Sequence, residues 1–458
     1  MADRRDDSGS WLTERIEPLP PPSGTFELIR RRARRRKYRK LTITAACSAV
    51  VVVAAAVTVP QVVNLRVNAA PESVAQAGRP ATATPPGPAS AAPSAGTAAA
   101  GATAVPVPGN FEPSSVTFVG TATGWVIGRT GTAAGTGAGC PTRDCTSVAR
   151  TGDGGQSWAS VHAPAAGPPD GATGTGEIRF LNLHDGWAYG PALFVTHDGG
   201  QDWTQADTHG LRVTDLETVG SRAFALFASC TGGGTAFAAH CTRFTLYSSP
   251  AGGTAWTPVG AATTGLTDGA ASEAASLVLT GGRGFVLGPD GSLYSGPVDG
   301  GAWSKVSSII STCHVGSPQA GGQPAGVLLG AVNPKDLVMA CTAAGGTGQT
   351  TVLSSPNGGL SWLQMGTPPA NGTAYSLAAS PSESLVLGTS AGIAVMPAGE
   401  ITWHMARLDG SAPPGGFSYV GMTTDEQGIA LPANPALGAV WFTFDGGQTW
   451  KPSKVSRP

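Results

Sequence analysis

The chain is poor in charge, in histidine and in the signatures of catalysis. Only 12% of its 458 residues are Asp, Glu, Lys or Arg. There is no Cys-x-x-Cys pair, and His162, His184, His197, His240, His314 and His404 show no ligand spacing, which excludes an ordinary zinc site. The Gly-x-Ser-x-Gly spacing occurs once, at Gly388-Thr389-Ser390-Ala391-Gly392, but between two short apolar runs rather than ahead of a helix, so no nucleophile elbow is expected. Helical periodicity is nearly absent after residue 60, and 66 glycines work against long helices because ordering glycine costs entropy. No cofactor and no metal are expected.

What charge there is lies unevenly. Residues 1–40 carry twelve Lys/Arg against six Asp/Glu, while from Phe111 onward there are fourteen against twenty-two. Such asymmetry is expected when two parts of a chain occupy different compartments, and the acidic part argues against nucleic acid as a partner. Between them Leu41–Val59 is a 19-residue uncharged run. Extended through Val63, it is long enough to cross a bilayer as a helix. By the positive-inside rule the Arg30–Lys40 block holds residues 1–40 in the cytoplasm, as a disordered basic tail. A cleaved signal peptide, ending at Ala69-Ala70, is the rival reading, and the long basic n-region disfavours it. Residues 64–110 collapse to Ala, Pro, Gly, Thr and Ser and read as a flexible linker. The expectation is a single-pass plasma-membrane protein, transmembrane at 41–63, with residues 111–458 extracellular and monomeric.

Six of the seven cysteines fall in that outer part: Cys140, Cys145, Cys230, Cys241, Cys313 and Cys341. An even number in an oxidising compartment favours disulfides. Their spacing favours the local pairs 140–145, 230–241 and 313–341, among the connectivities that six cysteines allow.

One phrase recurs through residues 111–458. Thr151-Asp153-Gly155-Trp158, Thr196-Asp198-Gly200-Trp203 and Thr443-Asp445-Gly447-Trp450 share residues and spacing. Ser355-Asn357-Gly359-Trp362 replaces Asp by Asn, Ser249-Ala251-Gly253-Trp256 has lost the carboxylate, and Asp299-Gly300-Gly301-Trp303 is a residue short. Short apolar strands precede each copy, often with a Gly–aromatic start such as Gly124-Trp125 or Gly186-Trp187. Units of about fifty residues, each several strands separated by Gly-rich turns, predict an all-β repeat fold. Radial stacking leaves few exposed edges, so a seven-bladed β-propeller is expected, with six or eight blades as alternatives. The unit near Tyr375–Trp403 has no recognisable box and is the least defined.

Within the phrase, the Asp carboxylate accepts N–H bonds of its own turn, the glycines admit positive φ, and the Trp supplies a large apolar plate. Asp153, Asp198, Asn357 and Asp445, with Trp158, Trp203, Trp362 and Trp450, are therefore expected to be structural. The phrase resembles the BNR or Asp-box repeat of sialidases, sortilin-type receptors, some endoglucanases and photosystem II assembly/stability factors. The pairing of Phe180-Leu181 with Asp185-Gly186-Trp187-Ala188-Tyr189-Gly190 looks most like the last group. The resemblance implies a propeller with its boxes on the periphery.

A sialidase of that resemblance would need three arginines on its inner strands, whereas only Glu177-Ile178-Arg179-Phe180 places one there. Another glycosidase would need two facing carboxylates. Asp215 and Glu217, at i and i+2, share one face of a strand, and Asp425-Glu426 lie in a turn; both sets read as solvated rim charges. Trp125, Trp187 and Tyr189 would anchor a partner if exposed, but their repeated position predicts core packing. The reading reached is a non-catalytic binding or assembly module for an unidentified protein or glycan. A glycoside hydrolase, or a surface sensor with a cytoplasmic signalling tail, are the alternatives.

Overall fold

The computed structural model describes residues 105–130, 145–167, 174–231, 240–259, 266–267, 275–288, 291–313, 326–342, 349–369 and 372–456. The basic tail, the run at 41–63 and nearly all of the linker lie outside the described residues. Among the described residues no helix is long and apolar enough to cross a membrane.

Seven antiparallel meanders follow one another along the chain, each first strand pairing with the second, the second with the third, and the third with a short outer strand. The first strands are Phe111–Val119, Glu177–Phe180, Arg212–Val219, Ser276–Thr280, Val327–Ala331, Ala374–Ala379 and Phe417–Met422, and they define blades 1 to 7. The molecule is a seven-bladed β-propeller. The unit lacking a box is a full blade, with Leu385–Thr389, Gly392–Met396 and His404–Met405 following its first strand. Blade 3 gains Leu266–Thr267 beside its third strand, and blade 7 gains the parallel strand Arg407–Leu408 beside Thr449–Lys454.

The middle strands of a blade are covered by a neighbouring blade on each face. Gly186–Tyr189, Leu385–Thr389 and Gly392–Met396 are accordingly buried along their whole lengths, which is why they read as unbroken apolar runs. Trp125 and Trp187 are fully buried in these positions, as core residues.

Among the described residues the core divides into seven clusters, and each spans two adjacent blades. A tryptophan from just before or within an outer strand enters every one: Trp158, Trp203, Trp256, Trp303, Trp362, Trp403 and Trp450 each pack into the seam with the preceding blade. Stability is thus carried between blades rather than within them. Among the described residues no strand is shared between blade 7 and blade 1, so closure there rests on packing and side-chain bonds. Phe442 of blade 7 meets Phe118 of blade 1 edge-on, Gln427 Nε2 donates to Thr121 O at 2.9 Å, and Ser456 Oγ donates to Gly109 O at 3.3 Å.

Two of the expected disulfides are formed. Cys230–Cys241 joins the second and third strands of blade 3, and Cys313–Cys341 ties the short helix Ile310–Cys313 after blade 4 to blade 5. Cys145 opens the third strand of blade 1, and Cys140 lies outside the described residues.

Candidate functional site

The boxes occupy the turns leading into the outer strands, one in each blade except blade 6, and do not converge. In blade 1 Thr151 Oγ1 donates to Asp153 Oδ1 at 2.8 Å and accepts from Gly155 N at 3.0 Å, while Asp153 Oδ1 accepts from Ser157 N at 2.9 Å. Blades 2 and 7 repeat the pattern around Thr196 with Asp198 and Thr443 with Asp445. In blade 5 Asn357 Oδ1 accepts from Ser355 Oγ at 2.9 Å and from Ser361 N at 3.0 Å, so the amide keeps these bonds of a carboxylate. Where Ala251 stands, Ser249 Oγ instead donates to Gly253 O at 3.3 Å and the turn closes through its own backbone. Burial raises the Asp153 carboxyl, but hydrogen bonds from Ser157, Thr151 and Gln156 outweigh it and hold the group at about 2. Asp198 and Asp445 are lowered in the same way.

Two features of these turns were missed by reasoning from single turns. The hub is the Ser/Thr hydroxyl, which both feeds the acid and satisfies a buried glycine N–H. The second glycine also docks on the preceding blade: Gly155, at φ 87°, leaves no room for a Cβ beside Phe442, and Gly359, at φ 92°, none beside Leu293. A further brace, legible only as Asn-x-x-Asp, ties the inner hairpins of blades 2 and 5. There Asn182 Nδ2 donates to Asp185 and Asn333 Nδ2 to Asp336.

Charge gathers elsewhere, on the inner strands. Arg179 of blade 2 pairs with Glu217 of blade 3, Nη2 to Oε1, at 2.7 Å, with side chains 17% and 29% exposed. These two, with Tyr419 of blade 7 and Thr117 of blade 1, line a cavity of about 250 Å³ at the centre of the ring. Phe118, Phe180 and Met422 supply apolar wall. Glu177, on the same strand as Arg179, and Asp215, on the same strand as Glu217, add two carboxylates. Burial, and after it the charge of Glu217, push Asp215 up to about 7, with Glu177 adding to the rise; the Leu277 N–H and Arg179 pull the other way. Burial also raises Glu177, against the Ser115 hydrogen bond and Arg179. Burial disfavours the Arg179 cation, and the negative field of Glu217 more than restores it. Tyr419 is raised, first by burial.

These placements correct two expectations. Asp215 and Glu217 are not solvated rim charges, because their strand faces the ring's centre and Arg179 engages Glu217. Arg179 is not the one arginine on an inner strand, since Arg212 opens that of blade 3. The pairing needed blades 2 and 3 side by side, 38 residues apart in sequence, and no local pattern announces it. Asp425 does lie in a turn, where it accepts from Ser382 N of blade 6 at 2.5 Å.

Asp215 has a second contact. Its Oδ2 accepts from Leu277 N of blade 4 at 2.7 Å. Other seams make this inner-strand link with hydroxyls: Ser115 to Ile178 N, Thr117 to Phe180 N and Ser376 to Val420 N.

Fold and site together define a seven-bladed propeller with an ion-paired pocket at its axis. No protein-family model matches the chain, and no curated protein matches it. Among solved structures it is similar to YCF48 bound to a D1 peptide, at 16% identity over 75% of this chain and 96% of that one, TM-score 0.48. It is also similar to YCF48 from Cyanidioschyzon merolae, at 16% over 61% and 85%, TM-score 0.41. A third is the Niastella koreensis GH74 enzyme, at 13% over 75% and 66%, TM-score 0.36. YCF48 is a propeller of the photosystem II assembly type, the group that the sequence phrase resembles. At these identities and TM-scores the likeness carries no functional argument, and the fold is read from the seven sheets themselves.

Proposed function

We propose that this propeller is a non-catalytic binding module, held at the cell envelope by the N-terminal span and linker, and that its partner meets the axial pocket. The observation that carries the reading is the cavity of about 250 Å³ whose walls combine the Arg179–Glu217 pair with Tyr419, Phe118 and Phe180. Convergent polar groups set in an apolar wall are how proteins fix the orientation of a bound group. The box residues Asp153, Asp198, Asn357 and Asp445 and their tryptophans are assigned to bracing turns and filling seams. In this arrangement residues 1–40 are the cytoplasmic tail, 41–63 the span, 64–110 the spacer and 111–458 the presented domain.

A general acid needs a carboxyl that is protonated near neutral pH, and Asp215 meets that condition. It is tied to the Leu277 N–H, however, and Glu217 is tied to Arg179, so both carboxylates have structural partners that hold them. Binding is the better use of the site.

The test is photo-crosslinking of the full chain in native membranes, with the probe at Thr423 beside the pocket or at Leu363 on the outer edge of blade 5. A partner captured from Thr423 and not from Leu363 is expected. Hydrolysis of sialosides or aryl glycosides, abolished by Glu217→Gln, would overturn the reading.

A further inference from the structure

The axial pocket has a charge imbalance that its structural duties do not require. Three carboxylates, Glu177, Asp215 and Glu217, stand around the Arg179 guanidinium on the adjoining inner strands of blades 2 and 3, and a second guanidinium, Arg212, opens the blade 3 strand. Desolvating surplus like charge is costly. The inter-blade link that Asp215 makes to Leu277 N is made at other seams by Ser115, Thr117 and Ser376, without charge. Asp215 thus brings a negative charge to a position where a hydroxyl serves the fold equally well.

Resting on the binding reading above, we propose that the pocket receives a single basic side chain, a lysine ammonium or an arginine guanidinium, carried by a partner protein. Glu217 is its anionic contact, and Asp215 and Glu177 supply the field behind it. Arg179 occupies Oε1 of Glu217. A carboxylate accepts at both oxygens, so a second cation shares the anion instead of displacing Arg179. The cavity, at about 250 Å³, is smaller than the usual span for whole small-molecule ligands and suits one long side chain. Phe118, Phe180 and Met422 offer apolar wall to the aliphatic stem, and Tyr419 lines the same space. An anionic group would meet Glu217 beside Arg179 in the lining, with the charges of Asp215 and Glu177 behind them.

The groups facing Asp215 are Glu217 on its own strand, Glu177 and Arg179 from blade 2, Tyr189 from the second strand of blade 2, and the Leu277 N–H from blade 4. A bound cation favours the ionised carboxylate. Affinity therefore rises as pH climbs through the Asp215 value, about 7.

Calorimetry on the full chain with three capped tripeptides, glycine-X-glycine with X as lysine, norleucine or glutamate, tests this. At about pH 8 the lysine peptide is expected to bind at least about tenfold more tightly than the other two. Glu217→Gln should bring it to the norleucine level. Asp215→Asn keeps an acceptor for Leu277 N, and it should weaken lysine binding and flatten its rise between about pH 6 and 8. Equal affinity for lysine and norleucine on the unmodified protein, tighter binding of glutamate, or no heat from any peptide at millimolar concentration would each overturn the proposal. None of these three outcomes depends on a variant folding. If they occur while Thr423 still crosslinks a partner, the ligand class is wrong and the binding reading stands. If the crosslink is absent as well, both fall.

Discussion

Gly155, in the outer turn of blade 1, lies so close to the ring of Phe442 in blade 7 that a Cβ on Gly155 would overlap it. The two residues meet at the only seam that joins the last described blade to the first. Because no described strand bridges that seam, the contact is part of what keeps the ring shut.

Substitution there should be costly for two reasons. Gly155→Ala forces a left-handed φ of 87° on a residue with a Cβ, at about 1 kcal/mol, and overpacks Phe442, at about 1–3 kcal/mol. Gly152→Ala, in the same turn but with open space around it, should stay within about 0.5 kcal/mol. Urea denaturation of both variants makes the comparison. Equal losses would remove Phe442 as the cause.

The hydroxyl hub makes a separate prediction. Thr443→Val leaves the Gly447 N–H buried without its acceptor, a loss of about 1–3 kcal/mol. Asp445→Asn should lose less, since Asn357 already holds the equivalent Oδ1 bonds in blade 5. The order of the two midpoints in denaturant decides it.

Seam tryptophans are expected to matter according to their burial. Trp450 is fully buried and Trp203 only partly. Trp450→Ala should cost about 3–5 kcal/mol, and Trp203→Ala clearly less. Thermal melts followed by far-ultraviolet circular dichroism would show the difference.

Acid should loosen the box turns. Asp153 sits at about 2 in the folded protein against an ordinary 3.8, and Asp198 and Asp445 are also lowered. A carboxyl with a depressed folded value contributes stability that is complete above its unfolded value and is lost as pH falls through the folded one. The melting temperature should therefore decline between about pH 4 and pH 2, and the decline should be shallower in the Asp153→Asn variant.

Asp215 has the opposite sign. Its folded value, about 7, lies above 3.8, so its contribution is complete below about pH 4 and is lost as pH rises through 7. Asp215→Asn retains an acceptor for Leu277 N and removes the repulsion with Glu217 and Glu177. The variant should melt higher than the parent at about pH 8, by a few degrees, and the gap should close near pH 4. A gap of constant size at both pH values would show that ionisation is not its source.

Reading the residues in order was enough to reach the number of blades, because each blade repeats its own local pattern. Apolar runs such as Leu193–Thr196 lead to a Gly-rich turn and a tryptophan, and this needs no knowledge of neighbours. Trp403 shows the limit of the method. Its turn, Pro397 to Thr402, has no Asp or Asn, yet the tryptophan fills the seam between blades 5 and 6 as the others fill theirs. The fold conserved the plate and dispensed with the box.

The axial pocket was beyond such reading. Arg179 and Glu217 are ordinary strand residues until blades 2 and 3 stand side by side, and Tyr419 joins them only when blade 7 closes on blade 1. Local chemistry, set by backbone sterics and side-chain volume over a few residues, determined strands, turns and their repetition. Closing the ring decided which charges share a low-dielectric centre, because Coulombic coupling acts through space and ignores separation along the chain.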